Sequence, residues 1–421
     1  MLSLAVVSVQ WYFVGYSLTF GQNSSGFIGT LHNVAFTGVG VKPHPLAPTI
    51  PEIVFAIYQN MFAVLTPALS FTVADRCRIF PFIVFLLVWS TTVYNVVASW
   101  AWNNNGWLYV WGYLDFAGGL YVFPSVLRPS SFYRVSPGTT KTLNTNCLQC
   151  RPVHMLAGFS ALALSITVGK RNSITTMPHS MPNMALGASL LWVGWMGFNG
   201  GSAFAGNARA AMAMWNTNLA ACSGAIAWMS FDFRVTKKYT SLGFCSGAIC
   251  GLVAITPCAG FVAPWAAVIV GVLGALAANR SCYLKAKFGY DDSLDVFAVH
   301  GIAGAVGCIL CAIFAQKWVM ELDGGTYGPA GWLDGNFFRM LIHLCAVLTG
   351  GLWAFGVTFG IVKLMNLTPL HLRVTEEEEN LGIDFALLGE QAWDFTNTAS
   401  ESPGAKRNDN KMTIENTSIY L

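Results

Sequence analysis

The sequence predicts an all-α polytopic membrane protein, and three observations support this fold class. Hydrophobic residues make up 54% of the 421 residues. Charged residues make up only 10%, whereas a soluble globular chain carries roughly a quarter. The stretches 79–114, 172–208 and 239–279 contain no Asp, Glu, Lys or Arg. Each is longer than the roughly 20 residues that a helix needs to cross a bilayer.

Composition and patterning exclude several other classes of protein. A nucleic-acid binder needs a basic stripe, but the 23 Lys and Arg residues are scattered singly and in pairs. The 11 cysteines lie mostly inside apolar runs, which is typical of small buried residues rather than of a disulfide framework. Continuous apolar runs argue against a porin-like barrel. No nucleophile–base constellation or cofactor loop is present, so we predict that the protein is not an enzyme and needs no cofactor.

Polar, glycine and proline breaks divide the apolar runs into ten predicted spans. These spans are 2–20, 51–74, 79–102, 152–169, 184–204, 207–231, 240–258, 263–284, 295–315 and 340–362. Residues 1–366 therefore form a predicted transmembrane domain, and residues 367–421 form a tail.

The loops between the spans differ in charge, and this difference predicts their orientation, because cytoplasmic loops carry an excess of Lys and Arg. Ten basic residues fall in alternate loops: Arg76, Arg78, Lys170, Arg171, Arg234, Lys237, Lys238, Arg280, Lys285 and Lys287. Leaving aside 120–151, the opposite loops hold only Lys42, Arg209, Lys317 and Arg339. We therefore expect both chain ends to be cytoplasmic. Asn23 then lies in an outer loop within Asn-Ser-Ser, which is either a glycosylation acceptor or a chance match.

The tail 367–421 is polar, but its first half keeps apolar residues in LHLRVTEEEENLGIDFALLGEQAWDF. We expect this half to dock on the cytoplasmic loops. The run Glu376 to Glu379 is more typical of a solvated helix face than of a metal site. A kinase or another regulator is an expected partner of the tail, because phosphorylation of a Ser or Thr changes the local charge.

Two histidines lie within predicted spans, where an ionisable residue is costly and therefore a functional candidate. His154 occurs in PVHMLAG and His300 in FAVHGIAG. Either one alone is more often a core histidine bonded to a carbonyl. The pair weakens that interpretation, because Asp115-Phe-Ala-Gly-Gly and Asp295-Val-Phe-Ala form a weak internal repeat of the kind found in transporters. We find no third ligand for zinc within the spans and predict no metal site.

Aromatic and polar residues near these spans favour a site for a small cation. Phe198 and Ser202 are four residues apart, so both lie on one helix face. Phe62 lies in the middle of a span, and Trp102 ends a span at the outer boundary. An aromatic face attracts a cation by about 0.5–2 kcal/mol. Taken singly, each of these aromatic residues is more often a lipid-facing or core residue.

Seven motifs together resemble the ammonium transporter family, and its fungal branch in particular. They are DFAGG, PVHMLAGFSALA, GWMGFNGGSA, NTNLAA, GFCSGAICGLVAITPCAGFV, DVFAVHGIAGAVG and EEEENLGIDFALLGEQAWDF. The resemblance covers nearly all of residues 2–395 except 120–151. It implies a plasma-membrane homotrimer with one pore per subunit. It also implies inverted five-helix repeats within eleven helices, of which about ten are found here.

The resemblance also implies roles for individual residues. Trp102, Phe62 and Ser202 would form an outer ammonium site, and Asp115 would organise it. Phe62 and Phe198 would stack as a gate below that site. His154 and His300 would line the pore as a hydrogen-bonded pair.

The chemistry of these residues fits transport of neutral ammonia. Potassium and ammonium have nearly the same size, so a charged pore would discriminate poorly between them. An apolar pore forces ammonium to release its proton, because burying an unpaired ion is costly. Potassium has no proton to release and is excluded. Methylammonium should be accepted as an analogue.

The sequence departs from the family's pattern at its N-terminus. Residues 2–21, LSLAVVSVQWYFVGYSLTFG, resemble the second span of the family. The inverted repeat therefore predicts that the family's first span is absent from this chain.

A second departure is the segment 120–151. Family members place Asp and His eight residues apart in one motif, whereas Asp115 and His154 are separated by 39 positions in this sequence. The segment adds Arg128, Arg134, Lys141 and Arg151 to an outer loop, against the charge pattern elsewhere. We interpret it as a translated intron or a faulty gene model, with a real extracellular loop as the alternative. Cys147 and Cys150 have no partner pair for a zinc site.

Three functional hypotheses therefore stay open. The chain is an ammonium transporter, or it is an ammonium sensor that signals through its tail, or it is inactive because of the two departures. Transport without signalling favours the first, and signalling from a pore-blocked variant favours the second.

Overall fold

A computed structural model describes residues 1–21, 26–117, 153–172 and 180–389. Asn23, the segment 120–151 and the tail beyond residue 389 lie outside the described residues.

Ten helical stretches of 15 or more residues occur in the described residues, at the positions of the ten predicted spans. They are α1 (Leu2–Phe20), α2 (Glu52–Ser70), α3 (Ile79–Trp111), α4 (Val153–Val168), α5 (Met181–Gly201), α6 (Ala208–Thr236), α7 (Ser241–Ile255), α8 (Pro264–Ser281), α9 (Phe297–Phe314) and α10 (Phe338–Asn366). Within α3 a turn at 103–106 separates the last five residues, so its main body ends at Trp102, as predicted. The predicted all-α membrane fold is confirmed.

Short elements connect these helices. Strands β1 (Pro43–His44) and β2 (Ala47–Pro51) pair antiparallel between α1 and α2. The remaining short helices are Leu284–Phe288, Lys317–Met320 and, in the tail, α11 (Glu376–Leu381). Short turns of 3₁₀ helix occur at Val34–Phe36, Ala74–Arg76, Glu321–Asp323 and Trp332–Asp334, and Asp384–Leu388 forms a π turn.

The helices differ in whether their length and hydropathy suit a membrane span. Among the described residues, six helical stretches meet both criteria: Leu2–Phe20, Glu52–Ser70, Ile79–Trp111, Pro264–Phe288, Phe297–Phe314 and Phe338–Asn366. Helices α4 and α7 are apolar but have only 16 and 15 residues. Helices α5 and α6 are longer, but each carries asparagines that bond within the protein, as Asn199 does with Thr217 at 2.8 Å.

Small residues allow α6 and α7 to cross closely. A Cβ atom on Gly251 would lie 2.1 Å from the carbonyl oxygen of Ala220, and one on Gly224 would lie 2.5 Å from that of Gly247. Such backbone contact is typical of membrane helices, whose association depends on close packing rather than on the hydrophobic effect. The crossing therefore requires glycine at these positions.

The start of α9 is a π turn, Phe297–Ile302, and it contains His300. Turns of this kind are rare and occur frequently at functional sites. Asp292 caps the turn by accepting hydrogen bonds from the amides of Val296 (3.1 Å) and Phe297 (2.8 Å). The same carboxylate accepts a hydrogen bond from the Thr72 hydroxyl. The orientation of His300 therefore depends on a capped, non-α backbone.

Charged side chains cluster between α2 and α3 and before α9, on the predicted cytoplasmic side. Arg76 is fully buried and donates to the carbonyl oxygens of Gly169 (2.9 Å) and Asp291 (2.5 Å). Arg171 forms a 2.8 Å ion pair with Asp291. Burial alone would raise the pKa of Asp291, but the hydrogen bonds and positive charge of Arg171 lower it. These groups fix the loops around the start of α9.

The first part of the tail docks on these loops, as the sequence analysis expects. Arg373 pairs with Glu379 at 2.8 Å and donates to the carbonyl oxygen of Val168 at 2.9 Å. Glu379 in turn accepts a hydrogen bond from the amide of Asn172 at 2.7 Å. Residues Cys77 and Arg373 form an isolated antiparallel bridge. The tail is thus joined by backbone and side-chain bonds to both the loop after α2 and the end of α4.

Candidate functional site

The two intramembrane histidines meet, although 146 positions separate them. His154 on α4 and His300 on α9 are 3% and 7% exposed, and their Nδ1 atoms lie 3.2 Å apart. A hydrogen bond between two Nδ1 atoms requires one ring to donate and the other to accept. The two neutral rings therefore hold different tautomers, and their Nε2 atoms offer one acceptor and one donor.

Glycine residues make this contact sterically accessible. A Cβ atom on Gly158, one helical turn after His154, would lie 2.2 Å from both the amide nitrogen and the Cα of Gly301. Gly304 passes next to His154 itself, with its ideal Cβ position 3.3 Å from the Cβ of that residue. Helices α4 and α9 thus touch through their backbones at the level of the histidines.

The substitution Gly158→Ala is expected to destabilise the protein by about 1–3 kcal/mol, because the added methyl group forces two packed backbones apart. The matched control is Gly187→Ala, where no atom lies within 4 Å of the added Cβ. The control should be neutral or slightly stabilising, since alanine favours a helix over glycine. Thermal unfolding in detergent measures both variants. Equal unfolding temperatures for the two would show that the α4–α9 contact is not needed.

Trp195 covers the histidine pair from α5. Its ring stacks on that of His154 with centroids 4.9 Å apart and planes 18° apart, and its Nε1 donates to the Thr256 hydroxyl at 2.7 Å. Among the described residues, Nε2 of His154 has no hydrogen-bond partner. The pair therefore combines an apolar wall with a ring nitrogen that is available to a small guest.

Phe62 and Phe198 stack next to this pair. Their ring centroids are 4.5 Å apart, with planes at 36°, and Phe62 is 2% exposed. Phe198 also contacts His154, with centroids 6.3 Å apart. The two rings therefore form an aromatic layer that contacts His154 through Phe198.

Two hydroxyl groups bond to the backbone of Phe198 in this layer. Ser202 is fully buried, and its Oγ donates to the carbonyl oxygen of Phe198 at 2.9 Å. The hydroxyl of Tyr58 donates to the same carbonyl at 2.6 Å and lies 3.1 Å from Ser202 Oγ. Our sequence analysis missed Tyr58. Its spacing of four residues before Phe62 on α2 was the available signal.

Trp102 lies in a buried cluster of aromatic rings. Its ring is 1% exposed and stacks on Phe20 with centroids 6.0 Å apart, and Tyr94 meets it edge-on at 6.2 Å. A path of neighbouring rings then leads through Phe55 and Phe204 to Tyr58: Phe20–Phe55, Phe55–Phe204 and Tyr58–Phe204. Trp102 is thus joined to the hydroxyl pair through intervening aromatic rings.

Asp115 is fully buried in the segment that follows α3. It accepts a hydrogen bond from the Tyr113 hydroxyl at 3.3 Å. Its backbone neighbours are anchored on both sides, since Leu114 N donates to His343 Nε2 (3.1 Å) and Phe116 N donates to the Pro257 carbonyl (2.7 Å). Hydrogen bonds of the described residues on both sides of Asp115 therefore hold its backbone in place.

The structure brings together four of the predicted site residues in direct contact: Phe62, Phe198, His154 and His300, with Ser202 bonded to the Phe198 carbonyl. Trp102 is buried against Phe20 and Tyr94, and Asp115 is buried and bonded to Tyr113. Within the part of the chain that the structure describes, no three His, Cys, Asp or Glu side chains cluster in a way that could hold a metal ion.

Comparison with known proteins identifies the family. The model of the Ammonium Transporter Family matches residues 1–123 and 148–393. The chain belongs to this family. Members of the ammonium transporter family are transporters rather than enzymes, so the predictions of family and of a non-enzymatic function are confirmed. The family match leaves out residues 124–147, which fall within the segment 120–151.

Several relatives in the ammonium transporter family cover most of the chain. Ammonium transporter 1 of Schizosaccharomyces pombe is 41% identical over 409 residues, which are 96% of this chain and 76% of that protein. The crystal structure of Candida albicans Mep2 is 37% identical with a TM-score of 0.78, covering 89% of this chain and 78% of that one. Saccharomyces cerevisiae Mep2 gives 38% identity and a TM-score of 0.78, covering 90% and 80%. A structure titled Sensor Amt Protein is 26% identical with a TM-score of 0.74, covering 91% and 87%.

Proposed function

We propose that this chain is a transmembrane ammonium transporter that binds ammonium at an outer site, removes its proton and passes neutral ammonia through the pore. The observation that carries the proposal is the buried pair of His154 and His300, 3.2 Å apart, beneath the stacked rings of Phe62 and Phe198. Membership of a transporter family supports it.

Recruitment of the cation is assigned to Trp102, Phe62, Ser202 and Asp115. Aromatic faces attract ammonium through their quadrupole, and Ser202 offers a hydroxyl oxygen. The buried carboxylate of Asp115 contributes negative charge and organises the site. The ring path from Trp102 to Tyr58 connects the recruiting residues with the hydroxyl pair.

Ammonium must lose its proton to pass the aromatic layer of Phe62 and Phe198. Beyond Phe62 and Phe198 the proposed pathway meets the ring of Trp195 and two neutral imidazoles, and an unpaired ion there costs many kcal/mol. Neutral ammonia crosses this region at a much lower cost, and the released proton passes either to water or along the histidine pair. Potassium cannot become neutral, so the pathway excludes it.

The histidine pair provides hydrogen bonds to the ammonia. One Nε2 atom accepts an N–H of the guest, and the other donates its proton toward the lone pair of the ammonia nitrogen. The mutual Nδ1 hydrogen bond holds both rings in the orientation that aims these atoms at the guest.

The cellular setting is part of the same proposal. The loop charges favour a multi-pass protein with a cytoplasmic C-terminus. The fungal relatives favour the plasma membrane and a homotrimer in the lipid bilayer, with ammonium as substrate and methylammonium as analogue. A kinase or another regulator acts at the tail. We propose no metal, no cofactor and no nucleic-acid partner.

Ammonium uptake tests this function. The 421-residue chain and a variant lacking residues 121–151 are expressed in cells without their own ammonium transporters. At least one of them is expected to restore growth on low ammonium. Methylammonium should compete for uptake, and an equal concentration of potassium should have little effect. Equal inhibition by potassium would contradict the neutral-ammonia mechanism, and no uptake by either chain would contradict the function.

A second candidate function is ammonium sensing through the tail. The bonds of Arg373 and Glu379 with residues 168 and 172 at the end of α4 favour it, because that helix carries His154. A variant with the pore blocked at the histidines separates the two functions. Growth signalling that persists in this variant supports sensing, and loss of signalling together with transport leaves transport as the function.

A further inference from the structure

A buried arginine lies on the predicted outer side of the molecule. Leaving 120–151 aside, Arg209 is one of four basic residues in the predicted outer loops, and it is only 1% exposed. It lies in the first turn of α6, where the helix dipole disfavours a positive charge. A buried cation at this end of a helix therefore requires compensation by a specific partner.

Asp323 neutralises this arginine. Its Oδ2 atom lies 2.9 Å from Nη1 of Arg209, and its side chain is 7% exposed. The carboxylate also accepts a hydrogen bond from the Tyr327 hydroxyl. Three aromatic rings surround the guanidinium, with centroids 5.2, 5.0 and 5.6 Å from its Cζ: those of Phe116, Phe261 and Tyr327. The ion pair is thus enclosed by aromatic rings, whose faces attract the cation.

Arg209 also binds the turn between α7 and α8. Its Nε donates to the carbonyl oxygen of Gly260 at 2.9 Å. The side-chain amide of Asn216 donates to the carbonyl oxygens of Ala259 and Val262, both at 2.8 Å. Residues seven positions apart lie on the same face of a helix. One face of α6 therefore binds three carbonyl groups of this turn through two side chains.

The same turn fixes the segment that contains Asp115. The amide of Phe116 donates to the Pro257 carbonyl oxygen at 2.7 Å. A Cβ atom on Gly260 would lie 2.2 Å from the Phe116 ring, so the turn lies directly against this ring. Because Arg209 bonds to Gly260 and contacts the Phe116 ring, it fixes both sides of this contact. Asp115 is the adjacent residue in the chain, so its position depends on the same contact.

We propose that Arg209, neutralised by Asp323, is a positioning residue for Asp115. The inference rests on the proposed function, in which Asp115 organises the outer site. Arg209 acts through the turn between α7 and α8 and through Phe116, without itself touching the substrate. Weakening its contacts should displace Asp115 and lower the apparent affinity for ammonium, whereas the later step at the histidine pair should be unchanged.

Two substitutions weaken these contacts with little change in side-chain size. Arg209→Lys keeps the positive charge but loses the rigid fork of donors that reaches Gly260 and Asp323 together. Asp323→Asn keeps the shape of the side chain and leaves Arg209 without its counter-charge. The matched control is Lys317→Gln, which breaks the exposed pair of Lys317 with Glu321, 3.5 Å apart, in the same outer region.

Thiol labelling measures the position of the segment without requiring transport. The reporter substitution is Ala117→Cys in the 421-residue chain, because Ala117 is fully buried and its amide donates to the Thr256 carbonyl oxygen at 3.0 Å. Intact cells are labelled with a membrane-impermeant maleimide, and modification of residue 117 is read by mass spectrometry of the purified chain. Arg209→Lys and Asp323→Asn should each raise the labelling rate by about tenfold or more, because breaking a buried ion pair opens the structure locally. Lys317→Gln should change it by less than about twofold, since an exposed pair contributes little.

A second reporter distinguishes local displacement from general unfolding. Ala47→Cys lies in strand β2, is 1% exposed and is also on the predicted outer side. Its labelling rate should stay the same in Arg209→Lys and Asp323→Asn, because neither residue contacts that strand in the proposed arrangement. Equal increases at residues 47 and 117 would show a general loss of stability and would overturn the positioning role.

Uptake kinetics test the consequence for the substrate. They are measured in the chain, with or without residues 121–151, that restores ammonium uptake. Arg209→Lys should raise KM for ammonium by about tenfold and change the maximal rate by less than about twofold, because binding is weakened and the step at the histidine pair is not. Lys317→Gln should change neither quantity.

The outcomes separate this inference from the proposed function. No increase in labelling at residue 117 overturns it, and so does an increase that leaves KM unchanged. A loss of maximal rate at constant KM also overturns it, because the effect then lies beyond the outer site. Absence of uptake by both chains contradicts the proposed function, and labelling at residue 117 then decides by itself whether Arg209 holds the Asp115 segment.

Discussion

Replacing either His154 or His300 by alanine is expected to abolish ammonium transport or to remove its selectivity, while the protein still folds in the membrane. Each substitution removes one partner of the 3.2 Å Nδ1 contact and leaves the other ring without its orienting bond. It also removes an Nε2 atom that the proposed mechanism uses to hold ammonia. Both substitutions are made in the chain that lacks residues 121–151, and ammonium uptake should fall by at least tenfold in each single variant.

Acidic residues at the same two positions should have a different effect. A carboxylate in the pore stabilises a bare cation, so replacement of the pair by Asp or Glu should admit potassium. Uptake of ammonium and of a potassium tracer measures the two properties separately. The matched control is His32→Ala, because His32 lies on an exposed loop. Wild-type rate and selectivity in both single variants would show that the histidines serve only the packing of α4 against α9.

Deletion of residues 121–151 is expected to raise transport by at least tenfold, because we expect the 421-residue chain to transport poorly or not at all. The deletion restores the spacing of eight residues between Asp115 and His154, which corresponds to about 12 Å of helical rise. It also removes four basic residues, Arg128, Arg134, Lys141 and Arg151. Positive charge near the outer site lowers the local concentration of a cationic substrate.

A charge-neutral variant distinguishes the two causes. Changing these four basic residues to glutamine keeps the length of the segment and removes its charge. If this variant transports as the deletion does, charge is the cause, and if it transports as poorly as the parent chain, the length is the cause. Trimer formation on a native gel and ammonium-dependent growth are scored together. A 421-residue chain that matches the deletion in both would show that the segment is a true loop and that our interpretation is wrong. A true loop is compatible with the structure, because His343 and Pro257 bond to the residues on either side of Asp115 and hold it in place.

The sequence by itself determined the properties that depend on local composition. Long stretches without charge set the number of helices, because the cost of burying a charge in a bilayer acts on every span separately. The same reasoning marked His154 and His300 as functional candidates. Ordered motifs such as DVFAVHGIAGAVG indicated the family. None of these inferences required knowledge of which helices are neighbours.

The tertiary structure alone decided which side chains meet. The contact of His154 with His300 depends on the backbone crossing at Gly158 and Gly301 and on the π turn at the start of α9. Tyr58 joins Ser202 through the carbonyl of Phe198, whereas Trp102 is placed against Phe20. A helical period fixes the face on which a residue lies but not the crossing angle or the closest approach of two helices. Crossing angle and closest approach depend on packing between segments far apart in the chain. Helical periodicity therefore indicated candidate site residues but did not predict which of them are in contact.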